Sequence, residues 1–74
     1  MEKKGGFHRW VVMVQSADKK WWNTLVYPTK VQAVACAAGE VACGNQAVVQ
    51  EREDKDGRST HGPIIRVNAR GEEE

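Results

Sequence analysis

The first two apolar runs of this chain are hydrophobic on both sides of a strand, and 74 residues leave little with which to cover both sides. The runs are Arg9-Trp10-Val11-Val12-Met13-Val14 and Trp21-Trp22-Asn23-Thr24-Leu25-Val26-Tyr27, joined by the polar segment Gln15-Ser16-Ala17-Asp18-Lys19-Lys20. Successive side chains of a strand point to opposite faces. Trp10, Val12 and Val14 therefore share one face, and Val11 and Met13 the other. Trp21, Leu25 and Tyr27 oppose Trp22 and Val26 in the same way. One helix covers one face of a small sheet. The second apolar face calls for a partner: another copy, a target protein or a nucleic acid.

A chain this short makes one domain and buries only about 60% of its unfolded surface, so its stability is marginal. Its composition, 41% hydrophobic and 28% charged, is that of a folded protein rather than a disordered one. The net charge of +1 excludes a general polycation. The charges are unevenly placed, however. Residues 1–39 carry six Lys and Arg against two acids, and residues 40–74 carry five against eight.

Cys36 and Cys43 both fall in the expected helix, seven positions apart, so their Cα atoms stand about 10 Å apart at the usual helical rise. That exceeds the roughly 7 Å reach of a disulfide, which points to a reducing cytoplasm. No apolar run approaches the ~18 residues of a membrane span. Residues 1–6 lack the apolar core of a signal peptide and read as a short polar arm.

Strand 1 is expected from about Phe7 to Gln15 and strand 2 from Trp21 to Tyr27. Thr29-Lys30-Val31-Gln32 has the form of a capping box, opening a helix from Lys30 to Cys43 that Gly44-Asn45 stops. Val31, Val34, Ala35, Ala38, Val41 and Ala42 make its apolar stripe. The opposite side, with Ala33, Cys36, Ala37, Glu40 and Cys43, carries little charge for a solvated face. Strand 3 spans Ala47 to Glu53, the Asp54–Arg58 segment turns at Asp-Gly, and strand 4 spans Pro63 to Ala69. Residues 70–74 read as a solvated tail. The expected fold is α+β: a ββαββ two-layer sandwich, a mostly antiparallel sheet with one helix on one face.

No catalytic constellation stands out. Neither cysteine has a local signature linking it to His8 or His61. The cysteines lie two helical turns apart, not in a zinc knuckle. Asp54 and Asp56 open like a calcium loop, but Arg58 stands where a third oxygen ligand is needed. No cofactor, metal or small-molecule substrate is expected, and the chain does not read as an enzyme. The remaining signal is aromatic and basic: Trp10, Trp21 and Trp22 beside Arg9, Lys19 and Lys20, with Arg52 and Arg66 on later strands.

Thr29, Lys30 and Ala33, then Val48 and Val49, then Asp56-Gly57-Arg58 resemble a family of small bacterial β-β-α-β domains of unknown function, over about half the chain. The Trp21-Trp22 pair and the Ile64-Ile65 strand depart from that pattern. The resemblance implies a fold and no activity.

Two functions follow from different classes. The first is a non-enzymatic protein-binding module. It would act as a homodimer or as a small inhibitor of a larger complex, such as a phage anti-defence, anti-CRISPR-like protein. The second is a nucleic-acid-binding module that uses the Trp, Arg and Lys residues of the first hairpin. Partner-binding candidates are Arg9, Trp10, Lys19, Lys20, Trp21, Trp22 and Arg66.

Overall fold

The computed structural model describes residues 7–18, 20 and 22–74. The polar arm 1–6, Lys19 and Trp21 lie outside the described residues. The strands are β1 (Phe7–Gln15), β2 (Asn23–Tyr27), β3 (Gln46–Lys55), β4 (Arg58–His61) and β5 (Ile65–Arg66), and the helix α1 (Lys30–Ala42) lies between β2 and β3. The class is α+β, an antiparallel sheet with one helix on one face. The order β-β-α-β-β-β holds one strand more than expected.

β1 runs through the middle. It pairs antiparallel with β2 from Trp10↔Tyr27 to Val14↔Asn23, and with β3 from Phe7↔Asp54 to Gln15↔Gln46. β3 is bordered on its far side by two strands. β5 pairs with its first half (Val48↔Arg66, Val49↔Ile65) and β4 with its second (Arg52↔His61 to Lys55↔Arg58). Gly62-Pro63-Ile64 bridges the two. The Gly62 amide donates to the Glu51 carbonyl at 2.8 Å, and the Gln50 side chain donates to the Gly62 carbonyl at 2.9 Å.

β4 escapes the hydrophobic pattern because Arg58-Ser59-Thr60-His61 is polar and exposed throughout. Its turn carries the signal instead. Asp56 and Gly57 both have positive φ, 53° and 77°, which suits the right-handed twist of a two-residue hairpin. Strand 4 was expected over Pro63–Ala69 and shortens to Ile65–Arg66. Its alternation holds: Val67 is buried and Ile65 half-buried, whereas Ile64 and Arg66 are exposed.

Thr29 caps α1 in extended backbone, its hydroxyl accepting from the Gln32 amide at 3.3 Å. At the other end Gly44 takes φ 91° and donates to the Val41 carbonyl, while the Asn45 amide donates to the Glu40 carbonyl. This pair of bonds is the Schellman arrangement that the Gly44-Asn45 stop implies.

The helix is turned only in part from its expected setting. Val34, Ala38 and Val41 of the expected stripe do pack inward, but Ala33 and Ala37, expected on the outer side, are fully buried against the sheet, whereas Val31 is 79% exposed. Val34, Cys36 and Val41 flank the contact with Trp10, Tyr27 and Ile65. The reason is volume. Val12, Val14 and Val49 of the sheet fill the interface, so the helix presents methyl groups and sits close.

Residues 70–74 are exposed for the most part but hydrogen-bonded. The Asn68 side chain accepts from the amides of Arg70 at 2.9 Å and Glu72 at 3.0 Å. The Glu74 amide donates to the Arg66 carbonyl at 2.9 Å, and Lys30 pairs with Glu73 at 2.7 Å.

Ala37→Leu is expected to destabilise the domain by about 1–3 kcal/mol through overpacking. Val31→Ala should stay within about 0.5 kcal/mol of the parent. Urea midpoints of the two variants check both.

Candidate functional site: the uncovered sheet face

The register divides the sheet between a covered and an open side. Trp10, Val12, Val14, Leu25, Tyr27, Ala47 and Val49 stand on the helix side. The open side carries Arg9, Val11 and Met13 from β1, Thr24 and Val26 from β2, and Val48, Gln50 and Arg52 from β3, with Arg66 beside Val48. No described element lies across these residues.

The centre of the open side is apolar. Val11 is only 1% exposed although no helix covers it, with Val26 and Gln50 as its register neighbours. Val26 is 56% exposed, and Met13 and Val48 are half-buried. Arg52 lies over part of this centre. Its Nε donates to Gln50 Oε1 at 3.1 Å, and its Nη2 approaches Met13 Sδ at 3.9 Å.

Guanidinium groups surround the centre. Arg9 donates through Nη1 to Asp54 Oδ2 at 2.8 Å. The Ser59 hydroxyl donates to the other Asp54 oxygen. The Ser59 bond, then the Arg9 bond, hold the Asp54 carboxyl below its ordinary range. Arg52 stands opposite Arg9 in the ladder, a like-charge pairing that Asp54 eases. Among the described residues Arg52 makes no ion pair, and the Arg66 side chain makes neither an ion pair nor a hydrogen bond. Alternation sends Glu51 and Glu53 to the other side, where Glu51 pairs with His8. The open strands thus carry Arg9, Arg52 and Arg66 against Asp54 alone.

The aromatic candidates separate. Trp10 is half-buried on the helix side, its ring edge-on to His8 at 5.9 Å and 5.8 Å from the Lys30 ammonium. Trp22 is 43% exposed and lines a cleft of about 360 Å³ that takes in Arg66 and Val48 of the open side, the inward-facing Val41, Ala47 and Val67, and Glu74. Lys20 is exposed in the β1–β2 connection. Of the residues singled out from sequence, the structure places Arg9 and Arg66 on the open side, Trp22 in this cleft between the two sides, and Trp10 behind the sheet. Val48 and Gln50 were not singled out. Their signal is the period of two in β3, which becomes legible once Val49 is phased toward the helix.

Cys36 and Cys43 are free. Tyr27 and Cys36 pack together against the core, and the neighbouring thiol, with some burial, raises the Tyr27 pKa. Among the described residues no three His, Cys, Asp or Glu side chains gather as a metal site, and no helix is long and apolar enough to cross a membrane. Comparison with family models, curated proteins and solved structures finds no match to this chain.

The Asp54 cluster gives a signed prediction. A carboxyl whose folded pKa is depressed stabilises the fold above its unfolded value, about 4, and that contribution is lost as pH falls through the folded value. Asp54→Asn should therefore be less stable than the parent at neutral pH, and the gap should close on acidification below about pH 4. Urea unfolding across the acid range measures the gap; one that does not change with pH would refute the assignment.

Proposed function

We propose that this domain is a non-enzymatic protein-binding module whose working surface is the open side of its sheet. The observation that carries the reading is an apolar centre of Val11, Met13, Val26 and Val48 left without a covering element and ringed by arginines. Protein interfaces have that anatomy: an apolar centre, depleted of Lys and acids, with arginine among its enriched residues. The complementary partner is a protein surface with apolar side chains at its middle and carboxylates around them. A small inhibitor or regulator of a larger complex, of the phage anti-defence kind, suits the size and the absence of a motif for chemistry. Two free cysteines suit a reducing cytoplasm. No cofactor or metal enters this reading.

A nucleic-acid-binding role has one observation in its favour. Among the described residues Arg52 and Arg66 make no ion pair, and Trp22 lines a cleft with Arg66 and Glu74. Salt separates the two. Phosphate contacts weaken steeply with salt, whereas an apolar interface persists.

The experiment is affinity capture with immobilised domain at low and high salt, followed by titration of the captured partner. Met13→Glu and Arg66→Glu should keep the fold. Each should weaken binding by about tenfold, or about 1.4 kcal/mol, or more. Retention of nucleic acid alone, released by salt, would replace this reading with the second.

A further inference from the structure

The sheet has two edges, and only one of them is protected. The β4–β5 edge is broken at Gly62-Pro63-Ile64, and β4 is short, polar and headed by Arg58. Charge, proline and interruption are the usual means of keeping an edge from pairing. β2, at the other end of the strand order, has none of them. Asn23-Thr24-Leu25-Val26-Tyr27 is uncharged, uninterrupted and free of proline. Its outward backbone N–H and C=O groups meet no described strand. Among the described residues the exposed large apolar side chains are Trp22, Leu25, Val26, Val31 and Ile64, and three of these five lie in or next to β2.

We propose that β2 is a self-association edge: two copies pair antiparallel along Asn23–Tyr27, about a two-fold axis at Leu25. The occupant is a second copy because the strand is self-complementary. In this register Leu25 meets Leu25 of the copy, Thr24 meets Val26, and Asn23 meets Tyr27. Every opposed pair is uncharged, and β-branched and aromatic residues pair well across strands. A foreign strand would find no charge here to select it. The axis stands perpendicular to the sheet, as antiparallel pairing of identical strands requires. Both helices then lie on one side and both open faces on the other. The product is one continuous sheet with two arginine-ringed apolar patches turned the same way. This pairing uses the backbone edge of β2 and leaves Val11, Met13 and Val48 of the open face outside the contact, with Val26 common to both.

The test is solution mass by light scattering over a dilution series, with the whole chain and no target present. The parent is expected at twice the 8.3 kDa of one chain at high concentration. Leu25→Lys alone and Leu25→Glu alone should each halve that mass, by opposing like charges across the axis. An equimolar mixture of the two should restore it. Val26→Lys, at a more exposed position, should also halve the mass and guards against misfolding at Leu25. A parent that stays at the mass of one chain overturns the proposal. So do Leu25 and Val26 variants that remain double, or a mixture that does not reassociate. Met13→Glu and Arg66→Glu should leave the mass unchanged; if they halve it instead, the copies meet through the open face and not through β2.

Discussion

The nine-residue ladder between β1 and β3 organises this domain. It sets Val12 beside Val49 and Val14 beside Ala47, and those side chains receive the methyl groups of Ala33 and Ala37. The close seat of the helix follows from that contact. The free side of the sheet follows from the same ladder, because fixing Val12 and Val49 inward turns Val11, Met13, Val48 and Arg52 outward. A slip of one residue would exchange the two sets. The core and the candidate interface are two consequences of one register.

The first hairpin was legible in the sequence because both of its faces are apolar and its alternation is strict. The helix was legible through Thr29, Gly44 and Asn45, whose capping roles are local chemistry. Which side of the helix faces inward was legible only in part: Val34, Ala38 and Val41 do pack inward, but hydropathy favours Val31 over Ala33 and Ala37, and it is the two alanines that are buried with Val12 and Val49. Packing volume decided it, and a single chain read in isolation does not display packing volume. β4 was hidden for a different reason. An exposed edge strand need bury nothing, so Arg58-Ser59-Thr60-His61 carries no apolar trace. An uncovered apolar face was legible in the two-sided strands, but that it is the face of Val11 and Met13 was not, because both faces are apolar and the choice depended on phasing β3. That phasing separated Trp10 from Trp22 and brought Arg52 over Met13.

Charge follows the same register. In β3, Glu51 and Glu53 stand on the helix side with Lys55, and Arg52 stands on the open side with Asp54, so each side carries both signs. The open strands hold Arg9, Arg52 and Arg66 against Asp54, a local excess of cation that the net charge of +1 does not display.

Arg52 gives the open side a property that a bare apolar sheet would lack. Its guanidinium rests on the Met13 thioether and one amide oxygen, and among the described residues no carboxylate pairs with it. Lifting it would cost one hydrogen bond and a weak sulfur contact, so the polar cover over Met13 is lightly held, while Val26 beside it stays bare.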